Sequence, residues 1–193
     1  MIKVIKSRRK TISIQIDKTG EITVKAPLYL GDEKIENFIK SKKSWIEKHQ
    51  NFNLSILKKN ADIINKIKAY FMGEMVNFTE DFGRKIKDFA SVYLIERTNF
   101  LAKKHGFIFN NVSIKNYKSR WGTCYKNKDI TLNIKLVCLN KNVIDYVILH
   151  ELCHTVHFNH QKNFHSLLKS LIGNESEFKR ELKEKSFILN IDY

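Results

Sequence analysis

No unbroken apolar run in the 193 residues exceeds four, as in Tyr146, Val147, Ile148 and Leu149. The roughly 20 residues needed to cross a bilayer are therefore missing, and no membrane partner is expected. The opening MIKVIKSRRK is cationic but lacks the apolar stretch of a secretory signal, so the expected location is cytoplasmic. Cysteine is scarce. Cys124, Cys138 and Cys153 are odd in number and irregular in spacing, which excludes a disulfide framework and fits reduced thiols. Proline occurs once, at Pro27. Repeats, low-complexity tracts and linkers are also missing, and the length suits one domain or one with a small appendage. The division expected is an opening hairpin-and-helix region over 1–78 and a core over 79–193, packed as one unit.

Acidic residues are outnumbered, with 20 Asp and Glu against 35 Lys and Arg, for a formal net charge of +15. Only 6 of those cations are Arg, whereas 18 residues are Asn. Sites that read phosphates or bases favour Arg forks, so the excess by itself is a poor argument for nucleic acid. Its distribution is more informative: +8 over 1–60, +2 over 61–110, +5 over 111–149 and zero over 150–193. Any positive field arises from the first and third stretches.

What is present is mixed patterning. Residues 2–26 alternate in the β manner, notably Thr11 to Ile16 and Glu21 to Val24 around the turn Asp17-Lys18-Thr19-Gly20, which reads as a hairpin. Helical spacing of Ile35, Phe38, Ile39, Trp45 and Ile46 predicts one amphipathic helix over 32–49. Residues 52–78 are ambiguous. Ile86, Phe89, Ala90, Tyr93, Leu94, Phe100 and Leu101 mark a helix from about 80 to 105, ended by Gly106. Two short strands, 112–115 and 129–134, flank Ser119 to Cys124. Helical patterning resumes at Asn142, recurs through Phe164, Leu167, Leu168 and Leu171, and ends with Phe178 and Leu182. The fold class expected is α+β.

Chemistry concentrates in His150-Glu151-Leu152-Cys153-His154, an HExxH sequence on a predicted helix. Positions i and i+4 share a helical face, so both imidazoles can reach one metal while Glu151 stands beside an activated water. With 7 His and 12 Glu in the chain, chance supplies such a match about 0.015 times. The ordinary alternative is a helix whose histidines are simply core or surface residues. Cys153 faces away from the ligands and reads as packing, and Asp145 is either an orienting partner for a ligand imidazole or a solvated carboxylate.

An open zinc site needs a third protein ligand, and His157, His160, His165 and Glu175 are the candidates. His157 is three residues past His154 and reaches poorly; His165 falls in the next helix; Glu175 would have to return on a second helix. His160 follows Asn159, a residue able to adopt the left-handed conformation that ends a helix and folds the chain back. His160 is therefore the expected ligand. The spacing resembles the metzincin HExxHxxGxxH pattern, but His157 stands at its Gly position and no Met follows the motif, so that assignment fails.

Ser119-Arg120-Trp121-Gly122-Thr123-Cys124, Leu132-Asn133, the run from Ile144 to His154, Asn159-His160 and Phe164 together resemble the YgjP-like metallopeptidase domain, a family related to WLM and SprT-like zinc proteases. The opening hairpin, Ala26-Pro27 and the helix with Phe38, Ile39, Lys43, Trp45 and Ile46 extend the resemblance over nearly the whole chain. Thr123 stands where the family commonly has Ser. The resemblance implies a zincin-like core and a Zn2+-dependent peptidase with His150, His154 and His160 as ligands and Glu151 as general base. Arg120 or Tyr117 are candidate oxyanion donors, each also readable as a surface or structural residue. Arg120, Trp121 and Gly122 are expected at the substrate, the last two shaping a strand edge for an extended peptide or, on the equal alternative, forming a core aromatic beside a tight backbone approach. Protein or peptide is then the partner. Two other readings stay open: a nucleic-acid-associated protein docking through its basic opening segment, with proteolysis restricted or absent, and a metal-binding module without turnover.

Overall fold

The computed structural model describes residues 2–17, 20–66 and 68–193. Two compact units divide the chain, Met1–Ala61 and Asp62–Tyr193, so residues 62–78 fall with the second.

In the first unit, β1 (Ile2–Ser7), β2 (Ser13–Ile16) and β3 (Ile22–Pro27) form a sheet in the order β1-β3-β2. The β2–β3 pair is antiparallel, with Ile14 opposite Val24. Gly20, at φ 90°, and Asp17 close it, the Asp17 carboxylate accepting the Glu21 amide at 2.8 Å; Lys18 and Thr19 of the expected turn lie outside the described residues. The opening segment is more than a hairpin, because β1 lies parallel to β3 on its other edge. Alternation along β3 buries Ile22, Val24 and Ala26 against Ile35 and Ile46.

The single helix expected over 32–49 is two, α1 (Asp32–Ser41) and α2 (Lys43–Lys59). Ser41 Oγ donates back to the Phe38 carbonyl at 2.7 Å, and the Lys42 amide turns to Ile39 O at 3.0 Å. The i→i+3 bond of the Lys42 amide replaces the α-helical ladder, and the helix breaks at Lys42, φ −104° and ψ 6°, without Pro or Gly. A short helix, α3 (Ala61–Ile64), follows.

The ambiguous stretch resolves in the second unit as a hairpin, β4 (Lys68–Phe71) and β5 (Glu74–Asn77). Met72 and Gly73, at φ 49° and 87°, make its two-residue turn, the backbone such tight hairpins require. Helix α4 (Phe82–His105) buries Ile86, Ala90, Leu94 and Leu101 and stops at Gly106, φ 73°. Strands β6 (Val112–Lys115), β7 (Gly122–Cys124) and β8 (Ile130–Asn133) form a sheet in the order β6-β8-β7, β6 parallel and β7 antiparallel to β8. All four β8 residues are buried, so β8 is the core strand and β7 the edge.

Beyond β8 the chain tightens into a 3-10 turn, Ile134–Cys138, because the Asn133 side chain accepts the Lys135 amide at 3.0 Å. Helix α5 (Lys141–His154) starts at Asn140, whose Oδ1 accepts the Val143 amide at 3.1 Å. It is apolar on nearly every side, as suits an element in the core: Ile144, Ile148, Leu152 and Cys153 are fully buried, each contributing about 1.5–3 kcal/mol if aliphatic. Helices α6 (Lys162–Ile172) and α7 (Ser176–Glu184) pack onto α5, and a last 3-10 turn spans Lys185–Asn190. The architecture is α+β, and no helix among the described residues is long and apolar enough to cross a membrane.

Candidate metal centre

The last turn of α5 carries His150 and His154 on one face, as i,i+4 spacing dictates. The helix ends there: the amides of Thr155 and Val156 fall back to Leu152 O and Cys153 O at 3.0 and 3.1 Å, and Thr155 Oγ1 donates to Leu152 O at 2.7 Å. Asn159 is not the left-handed stop expected of it, since Lys66, Met72 and Lys128 are the non-glycine residues at positive φ among the described residues. The helix ends in this tightened turn without a left-handed residue, and the loop after it brings His160 back to the two histidines.

His160 Nε2 lies 3.1 Å from His154 Nε2 and 3.1 Å from His150 Nε2. His154 Nδ1 is 3.0 Å from the His157 carbonyl, which can only accept, so Nδ1 carries the proton and Nε2 presents a lone pair. His160 can donate to at most one of its two neighbours. Three ring nitrogens therefore converge with too few protons to bond one another. A tetrahedral ion with bonds of about 2.0–2.1 Å places its nitrogen ligands about 3.3 Å apart, close to the spacing here. The donor set fits zinc.

His150 Nδ1 is buried with no partner among the described residues. Burial, reinforced by the neighbouring imidazoles, pushes the His150 pKa down to about 3, and burial followed by the charge of His160 lowers His154. Both rings stay neutral, the form in which imidazole binds metal. Beneath them Phe164 of α6, fully buried, is 4.9, 4.5 and 4.8 Å from the ring centres of His150, His154 and His160. Helical spacing marks Phe164 only as a core residue; its role as the floor of the centre follows from its position three residues after the loop.

Glu151 turns from the same helix toward β7. A methyl group on Gly122 would meet Glu151 Oε1 at 2.8 Å and Cγ at 2.9 Å, so glycine is what lets the strand close on the carboxylate. Burial raises the Glu151 pKa to about 7, opposed by a hydrogen bond from the Cys124 backbone and by the charge of Arg120. Trp121 and Gly122 line the cleft with Tyr146, Val147 and Glu151. Arg120 is exposed, its guanidinium 5.7 Å from the Tyr117 ring centre, and the Tyr117 hydroxyl is 3.4 Å from that of Tyr125.

The remaining candidates are engaged elsewhere. Asp145 neither orients an imidazole nor stands solvated: both oxygens take Arg97 of α4 at 2.6 Å. Glu175, near the start of α7, sits with Lys179, with His165 at 3.6 Å and with the Tyr146 hydroxyl at 3.5 Å. His157 contributes its carbonyl. Asn133 is a residue whose task only the structure discloses. Fully buried, it donates to the carbonyls of Tyr117 and Arg120 at 2.8 and 2.7 Å, and its amide donates to Trp121 O at 2.8 Å. In the sequence it stands out only as part of the Leu132-Asn133 pair that carries the family resemblance, with nothing to show what it holds.

The YgjP-like, metallopeptidase domain family matches residues 10–87 and 77–185. The chain belongs to that family. No curated protein and no solved structure matches it. As a YgjP-like metallopeptidase it is a hydrolase acting on protein or peptide with a divalent metal.

Proposed function

We propose that this YgjP-like protein is a zinc peptidase in which His150, His154 and His160 hold the ion and Glu151 is the general base. The convergence of His160 Nε2 on His154 Nε2 and His150 Nε2, each at 3.1 Å, one residue from a buried carboxylate, carries the reading. Zinc held by these histidines would supply Lewis acidity that polarises a peptide carbonyl and acidifies the attacking water. Glu151 would accept the proton of that water and return it to the leaving amine. Gly122 admits the carboxylate and the Cys124 amide steadies it, so the base is held without a flexible search. The outer edge of β7 offers backbone groups to an extended peptide, with Arg120, Trp121 and Gly122 as the substrate-binding residues.

Five variants and a metal count test this. Glu151→Gln keeps one zinc per chain and loses turnover, because the amide preserves shape and removes the proton acceptor. In His160→Ala zinc affinity falls sharply, whereas Glu175→Ala, His157→Ala and His165→Ala stay near one ion per chain. Hydrolysis by metal-loaded Glu151→Gln would remove the base; zinc lost from Glu175→Ala and kept by His160→Ala would reassign the third ligand. A chelator abolishes activity and zinc restores it. Zinc binding without any Glu151-dependent cleavage would leave a metal-binding module.

A further inference from the structure

Residues 111–128 hold Lys115, Lys118, Arg120, Lys126 and Lys128 and not one Asp or Glu. The run takes in β6 on the far edge of the sheet, the loop before β7, β7 itself and most of the turn after it, which Asp129 closes. Lys118 lies 3.8 Å from Asp192. Arg120 is exposed and, among the described residues, has no carboxylate within ion-pair distance. Its backbone is fixed nonetheless, since the fully buried Asn133 holds the carbonyls of Tyr117, Arg120 and Trp121. The neighbouring Trp121 and Gly122 line the cleft with Glu151. A guanidinium without a carboxylate partner, 5.7 Å from the Tyr117 ring centre, thus stands on an anchored loop immediately before two residues of the cleft wall.

We propose that Arg120 reads a carboxylate on the peptide, so that the enzyme selects acidic substrates along the cationic rim of β7; this rests on the peptidase reading above. A guanidinium offers a planar pair of donors that matches a carboxylate, and the lysines around it add attraction without geometry. Two sources share that chemistry, an Asp or Glu side chain and a free C-terminus. Nucleic acid fits less well, since a single Arg among lysines at a narrow cleft makes a poor phosphate track.

The test separates binding from catalysis. Peptides of one length, carrying Glu, Gln or Lys at matched positions and with free or amidated C-termini, are titrated against zinc-loaded Glu151→Gln protein and offered as substrates to the wild type. Glu peptides bind about tenfold more tightly than Gln peptides, and the margin shrinks with salt. Arg120→Gln on the Glu151→Gln background erases the margin, and Arg120→Glu turns it toward Lys peptides. A margin that follows the free terminus supports the same guanidinium contact with the terminal carboxylate as its source. Equal binding of Glu and Gln peptides, a margin that survives Arg120→Gln, or displacement of the Glu peptide by an equimolar thymidine oligonucleotide overturns the proposal. Arg120-dependent binding with no cleavage by the wild type refutes the peptidase reading and leaves carboxylate recognition standing.

Discussion

Gly122 concentrates the logic of the site in one missing atom. Its φ is unexceptional, so backbone freedom is not why glycine is there; the Glu151 carboxylate occupies the space a Cβ would take. In Gly122→Ala the flexible carboxylate gives way rather than the strand, and Glu151 moves off its position while the three histidines stay. Activity falls about 10²-fold, the scale of an ångström misplacement at the reacting atoms, with zinc content unchanged. Parallel metal analysis and kcat/KM measurement check it, and zinc loss at full activity in the remaining holoprotein would refute it. The HExxH part of this arrangement is legible in sequence because helix periodicity alone places residues i and i+4 together. The Gly122 contact is not, since it joins residues 29 positions apart across a strand and a helix. Asn159 shows the opposite failure: its left-handed tendency is real, yet the helix has already ended at Thr155 through i→i+3 bonds that need no left-handed residue.

Helix α5 must hold its last turn still while its two ends do different work. Asn140 caps its start and also donates to both Glu181 oxygens of α7, at 2.8 and 2.9 Å, and Asp145 clamps its middle to Arg97 of α4. Each of those carboxylate and guanidinium side chains is one-fifth exposed, sheltered enough for two parallel charge-assisted bonds to count. Asp145→Ala therefore lowers unfolding free energy by about 1–3 kcal/mol, read by urea denaturation, and leaves the zinc stoichiometry at one. Loss of zinc from a still-folded variant would instead make Asp145 an orienting partner of the ligands. The helices themselves are legible from apolar spacing and from Gly106. The break at Lys42 and the parallel placement of β1 are not, because one comes without Pro or Gly and the other depends on which sheet edge a strand finds free.

At the scale of the molecule, the three proposed ligands, the proposed base and the edge strand β7 lie in the unit Asp62–Tyr193, and the β2–β3 core with α1 and α2 lies in Met1–Ala61. Composition could not reveal this boundary, since no Pro-, Gly- or Ser-rich linker marks it. The chain supplies its own reporters: of its two tryptophans, Trp45 is in the first unit and Trp121 in the second. Zinc bound only by the folded second unit stabilises that unit by RT ln(1 + [Zn]/Kd), about 4 kcal/mol at a free concentration 1,000 times Kd. Trp121 fluorescence, isolated in a Trp45→Phe variant, should therefore report a melting midpoint that falls when a chelator is added. Trp45 fluorescence, isolated in Trp121→Phe, should report a midpoint that moves much less, because the sheet it monitors contributes no ligand. Equal shifts in the two signals would mean that the units unfold together, and the ion's stabilisation would then belong to the whole chain.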